Sequence, residues 1–235
     1  MNTRLKELIL QKELNQQSKH LLACGRIQDA RQTAFEAVAL ETQSSENRIA
    51  LAEALTYKDT VIQSNYAEAL THWEKALNIS PDDTNIQLQF ARCALNSGKP
   101  EKARDQCNNL LSNNEIDENA SDHDRATLGM AHTVLAQSLL QLGETELGSQ
   151  HFQKATQIAP KSPEPWSAIA SFHKLRGEYD RAYSALKSGY ANIDEDNKKV
   201  YLLFTHLHHD HLQGLLFNPR LFTRNKEIIV SSALM

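Results

Sequence analysis

The sequence predicts an all-α protein, a helical-repeat solenoid of about five helix-turn-helix units followed by a short strand/helix/strand-like tail. Three observations carry that expectation. A Gly-to-small spacing recurs: Gly25 is followed five residues later by Ala30, Gly98 by Ala103, Gly143 by Gly148 and Gly177 by Ala182. Ser64 and Ala69 form a fifth copy, with Ser in the place of the first Gly. The starts at 25, 64, 98, 143 and 177 lie 39, 34, 45 and 34 residues apart, and a period near 34 is that of stacked helical hairpins. Finally, the chain has only eight Gly and six Pro in 235 residues, several of them at unit boundaries, as a mostly helical chain requires.

Each recurring spacing has a physical task within a unit. The Gly ends the first helix, because it takes up the left-handed conformation at little cost. The small residue five positions on lets two helices approach closely. Nine positions after the Gly come filling residues, Ala34, Trp73, Cys107, Phe152 and Leu186; twelve after come Ala37, Ala76, Leu110, Ala155 and Gly189. Pro81 and Pro160 stop the second helix before the next unit begins. One unit alone cannot bury its apolar face, so the stack is the stable object.

In chain order, MNTRLKELILQKELNQQ reads as a capping amphipathic helix, too charged for a signal peptide. Units follow at about 11–42, 47–81 (with extra residues near Tyr57–Ile62), 84–115, 129–160 and 163–194. Between the third and fourth, residues 113–124 (NNEIDENASDHD) read as a solvated loop. A calcium loop is rejected there, since the alternation and glycine of an EF-hand are missing.

These units resemble the tetratricopeptide repeat (TPR). From Gly129 to Pro160, the residues Leu135, Ala136, Leu139, Gly143, Phe152, Ala155 and Pro160 fall on its signature slots. From Pro163 to about Asp194, Trp166, Ile169, Ala170, Gly177, Ala182 and Leu186 do so; in the third unit Phe90, Ala91, Ala94, Gly98 and Ala103 match. The resemblance covers roughly residues 5–195 and implies a right-handed superhelix. It also implies a non-catalytic scaffold or adaptor that binds a protein or peptide in its concave groove.

First helices line the groove of such arrays. Counting from the unit starts, the groove-facing positions are Asn85, Arg92 and Asn96, then Thr133, Gln137 and Gln141, then Ser167, Ser171 and Lys174. The set is polar and weakly charged, suited to hydrogen-bonding an extended or helical peptide. Chaperone-binding members of the family hold a C-terminal carboxylate in a basic clamp. The equivalent slots here are Asn15, Leu88 and Thr133, with Lys19, Arg92 and Gln137 one turn on, and they do not reproduce it.

Composition excludes some alternatives. With 25 basic against 29 acidic residues the net charge is −4, so there is no basic footprint for nucleic acid or an anionic membrane. No apolar run is long enough to span a bilayer. Cys24, Cys93 and Cys107 form no CxxC pair and read as small core residues with reduced thiols, which makes a cytoplasmic location the expectation.

After residue 195 the sequence changes character. Val200–Thr205 has the profile of a buried strand, Leu212–Phe217 of a short helix or turn, and Glu227–Ser231 of a second strand. Between them lies His206-Leu-His208-His209-Asp210-His211, followed three residues on by Gly214. This HxHxDH after a strand resembles the metallo-β-lactamase-fold hydrolases. The resemblance implies that His206 and His208 hold one zinc, and Asp210 and His211 a second, with His209 not a ligand. Such a pair makes hydroxide at neutral pH and polarises the scissile group. The further histidines and bridging carboxylate of the complete site are missing, and about 36 residues cannot build that sheet sandwich alone. The tail is therefore expected to be the cut-short start of a hydrolase domain, a remnant, or a metal site completed by another chain or by His173. As it stands the chain is not expected to be an enzyme, and its repeats need no cofactor. A lone strand at Val200–Phe204 is expected to expose an apolar edge without a sheet partner.

Overall fold

The computed structural model describes residues 3–57, 63–114, 120–192, 199–204 and 227–232. The first three of these segments form ten helices in antiparallel pairs: α1 (Thr3–Ala23) with α2 (Ile27–Leu40), α3 (Ser45–Thr56) with α4 (Gln63–Ile79), and α5 (Thr84–Asn96) with α6 (Pro100–Asn113). α7 (Asp122–Gln141) pairs with α8 (Thr145–Ile158), and α9 (Pro163–Leu175) with α10 (Tyr179–Asn192). Each pair packs on the next, second helix to first helix, so the five predicted units stack as one solenoid.

Local chemistry sets the helix ends. Gly25, Gly98, Gly143 and Gly177 all have φ between 74° and 86°, the left-handed conformation that a side chain would strain. At Gly98 the amide donates to Leu95 O at 3.1 Å and the following Lys99 amide reaches Ala94 O at 2.9 Å. These two bonds satisfy the carbonyls left open at the helix end. Starts are equally explicit. Asp83 Oδ1 accepts from the amides of Asn85 and Ile86 at 2.9 and 3.0 Å, and Pro100 and Pro163 occupy first-turn positions where a missing N–H costs nothing.

The small and filling residues behave as their spacing requires. Ala30, Ala69 and Ala103 are fully buried, and a Cβ on Gly148 would meet Ala136 O and Leu140 at 3.0 Å. Trp73, Cys107 and Phe152 are buried at the position nine residues after each start. One continuous apolar core runs from Leu21 on α1 to Leu139 on α7, and a small separate cluster of Ile169, Ala170, Ala182 and Ala185 holds the last pair.

Four expectations need correction. The N-terminal cap is not a separate element: α1 is one continuous helix from Thr3 to Ala23, so cap and first repeat helix are the same rod. Ser64 does not replace a turn glycine, because it lies inside α4; of the predicted extra residues near Tyr57–Ile62, 58–62 lie outside the described residues. The acidic interruption is shorter than its composition suggested. α7 starts at Asp122, where the Ser121 hydroxyl accepts from the Asp124 amide at 3.1 Å and Asp124 Oδ2 accepts from the Ser121 amide at 3.2 Å. Its acidic residues favour the positive end of the helix dipole. Finally, Leu186 is 52 % exposed, unlike the residues in the same slot of the other four units.

The tail holds two strands where two were predicted, β1 (Lys199–Phe204) and β2 (Glu227–Ser232). They pair in parallel, Lys199 opposite Glu227 through Phe204 opposite Ser232. β1 thus has a sheet partner, against the expectation of a lone strand. Parallel neighbours need a crossover connection; the predicted short helix or turn at Leu212–Phe217 lies outside the described residues.

Candidate functional site

The first helices of the last three units, α5, α7 and α9, lie side by side and enclose a cleft of about 510 Å³. Six of the nine predicted groove residues meet on its wall: Arg92 and Asn96 from α5, Thr133 and Gln137 from α7, Ser167 and Ser171 from α9. Their helix spacing explains this. Residues four apart on one helix share a face, and the three stacked helices turn that face the same way.

The other three are not brought into the cleft. Asn85 sits seven residues before Arg92, about two helical turns away, and its amide is held by the Asp83 cap. Gln141 and Lys174 are exposed near the C-terminal ends of α7 and α9. Thr133 is in the cleft wall but only 3 % exposed, with its hydroxyl donating to Gly129 O at 2.8 Å. That proton is already committed, so Thr133 shapes the floor rather than donating to a ligand.

Counting from the unit starts missed the apolar part of the cleft. Leu95, Met130, Val134 and Ala168 form its floor, and Pro163 and Glu164 at the start of α9 close one side. All four floor residues lie next to or three residues from a predicted position, so the helical period contained the signal. Arg92, whose Nη1 donates to Gln89 Oε1 at 3.3 Å, supplies a cation on the α5 wall, and Glu164 an anion on the α9 wall. The cleft is apolar at its base, hydrogen-bonding at its rim and bipolar across its width.

The clamp slots are occupied by packing. Asn15, Leu88 and Thr133 are all buried, and Asn15 donates to Asn47 Oδ1 at 2.7 Å, which in turn donates through Nδ2 to Ala37 O at 2.7 Å. Arg48, also buried, donates to Thr42 O and contacts His72 Nδ1 at 3.1 Å. Burial, then the neighbouring Arg48 charge, pushes His72 down to about 4. His132 on α7 and His151 on α8 meet Nδ1 to Nδ1 at 2.9 Å, a contact that needs one ring to donate and the other to accept. Burial lowers both, His132 to about 4, so the pair is neutral at pH 7.

The thiols are unreactive where they are buried: burial pushes Cys93 and Cys107 up to about 12. Among the described residues, no three His, Cys, Asp or Glu side chains converge as a metal site would require. The predicted ligands His206, His208, Asp210 and His211 lie outside the described residues. His173, the suggested extra ligand, gives its Nδ1 to Glu178 Oε2 at 2.7 Å, and Glu178 also pairs with Arg176 and Arg181. No helix among the described residues is long and apolar enough to cross a membrane.

Tetratricopeptide-repeat family models match residues 61–121 and 131–162. A search of curated proteins by sequence finds no match. Among solved structures, the chain is similar to Pseudomonas aeruginosa pilF at a TM-score of 0.58 and 14% identity, over 81% of this chain and 80% of that one. It is similar to a tetratricopeptide repeat protein from Parabacteroides merdae, at 0.63 and 14%, over 78% and 66% of the two chains. It is also similar to MamA from Desulfovibrio magneticus RS-1, at 0.58 and 15%, over 78% and 94%. At such identities the likeness concerns the fold.

Proposed function

We propose, for a chain that carries tetratricopeptide repeats, that it is a non-catalytic scaffold or adaptor that holds a peptide segment of a partner protein in the α5–α7–α9 cleft. The observation that carries this reading is the convergence of Arg92, Asn96, Gln137, Ser167 and Ser171 around an apolar floor. A segment that fits presents an apolar side chain to Leu95, Met130 and Val134, an acidic group to Arg92 and a basic one to Glu164. Asn85, Gln141 and Lys174 would contact only a segment running beyond the cleft. The reading needs no cofactor and no nucleic acid. A cytoplasmic location fits the three free cysteines.

The test is a random-peptide display selection against the full chain, with the selected peptides then titrated against R92A/Q137A/S171A. Loss of affinity in the variant, with an unchanged far-UV spectrum, is the expected result. Peptides that bind both proteins equally would overturn the cleft as the binding site.

A second reading is favoured by one observation, the parallel pairing of β1 with β2. His206 follows the end of β1 by two residues, and functional groups in parallel sheets collect at the carboxyl ends of the strands. On this reading, residues 199–232 are the first strand–crossover–strand of a zinc-dependent metallo-β-lactamase-fold hydrolase, with His206, His208, Asp210 and His211 as ligands. Metal analysis after dialysis decides it. One or two zinc ions retained, and lost in H206A/H208A, support it; none retained sinks it.

A further inference from the structure

We infer that the exposed face of α10 is a self-association surface, on which a second copy of this chain packs its own α10 antiparallel about a twofold axis. The argument begins with equivalent positions. Nine residues after each unit start stand Ala34, Trp73, Cys107 and Phe152, all buried, and then Leu186, 52 % exposed. Phe152 shows what buries that slot: its ring lies 6.1 Å from that of Phe172 on the first helix of the next unit. Six residues after each start stand Arg31, Leu70, Arg104 and Ser149, all buried or half-buried, and then Tyr183, 69 % exposed. Arg31 uses that slot to donate to Ala54 O and Leu55 O of α3 in the following unit. Tyr183 and Leu186 therefore stand in the two slots through which Arg31 and Phe152 meet the following unit.

The surface they belong to is a stripe. Tyr179, Tyr183 and Leu186 are spaced by four and three residues, so they lie on one face of α10, and all three are exposed. The stripe borders the face that buries Ala182, Ala185 and Gly189 against α9. A row of two tyrosines and a leucine has the composition of an interface centre, amphipathic aromatics that bury area at little entropic cost.

Charge selects the occupant. Asp180 and Lys187 are seven residues apart, two helical turns, and so lie together on the flank of the stripe turned away from the buried face. A twofold axis between two antiparallel α10 helices keeps each flank on its own side and centres the pair between residues 183 and 184. Asp180 then faces Lys187 of the second copy, twice by symmetry, while Tyr179, Tyr183 and Leu186 interdigitate. The same arrangement runs the two helix dipoles antiparallel. A closed twofold pair is also the commonest way for one surface to satisfy itself.

Sedimentation equilibrium of the full chain over a range of concentrations tests this. Expected are the mass of two chains in the wild type, of one chain in Y183E/L186E, and weakened pairing in D180K that is restored in D180K/K187D. These residues are exposed, so far-UV spectra of all variants should coincide with the wild type. A wild type that is monomeric throughout overturns the proposal; if Tyr183 is then protected from nitration, another part of this chain covers it. A pairing that survives Y183E/L186E, or a double charge reversal that fails to restore it, overturns it as well.

Discussion

At the N-terminal end of the solenoid α1 exposes Leu5, Leu8, Ile9 and Leu10 in its first half and turns Glu13, Gln16, Gln17 and His20 to solvent in its second, whereas at the C-terminal end α10 turns out Tyr179, Tyr183 and Leu186. Among the described residues neither helix has a further repeat against its outer side, and both leave apolar side chains in water; the polar face that ends a stack covers only the second half of α1. The inner faces of the two ends differ too. α1 contributes Leu21 and Leu22 to the main core, while α9 and α10 are held by a small cluster of alanines and Ile169. The repeat pattern is the same at both ends, so a unit's stability comes from its neighbours more than from its own hairpin.

The largest effect that would sharpen this contrast comes from one slot in consecutive units. Phe152→Ala removes a side chain buried between α8 and α9 and is expected to cost about 3–5 kcal/mol. Leu186→Ala, nine residues after its own start, should cost under about 1 kcal/mol at low chain concentration, because little area is lost from water. Urea unfolding of both variants measures the difference; equal losses would mean that the last unit is buried as the inner ones are.

Next in size is Gly189→Ala. A Cβ there would stand 2.6 Å from Trp166 Cβ, so α9 and α10 must separate, at about 1–3 kcal/mol. Because the last pair has its own cluster, the loss should appear as faster amide exchange confined to 163–192, with α1–α6 unchanged.

A smaller effect runs the other way, loosening the middle before the ends. His72 and His132 are held near 4 in the folded chain, below the usual histidine value of 6.5. Between those values the unfolded chain binds more protons, so stability rises with pH and falls as pH drops from 6.5 toward 4. Above 6.5 both states are neutral and the dependence vanishes. H72Q/H132Q should flatten the slope of unfolding midpoint against pH in that window. An unchanged slope would place the acid sensitivity elsewhere.

The smallest test leaves stability untouched. A thiol reagent added to the folded chain should label Cys24, which is exposed, and leave Cys93 and Cys107 until urea is added. Labelling of either buried thiol without denaturant would show that the middle of the stack opens as readily as its ends.

Much of this architecture was legible in the residues. The Gly-to-small spacing located four of the five turns, because a left-handed turn and a close helix contact each demand a particular residue type. It misplaced the turn of the second unit, since Ser64 carries no such demand and the helix runs through it. Six of nine groove positions reached the cleft because helical period and stacking are both periodic. The helical period also held the signal for the apolar floor, but the burial of Thr133 was not legible. It depends on how deeply α7 sits between α5 and α9, which no single-helix count contains.

By itself, then, the sequence determined the all-α repeat, four of its five turns and the two strands of the tail, since each follows from local backbone and side-chain preference. Only the tertiary structure decided that β1 pairs in parallel with β2, that the clamp slots are filled by packing, and that Leu186 and Tyr183 face outward. The physical reason is that pairing, burial and exposure belong to neighbours in space: one slot is core in α8 and surface in α10 according to whether another helix lies against it.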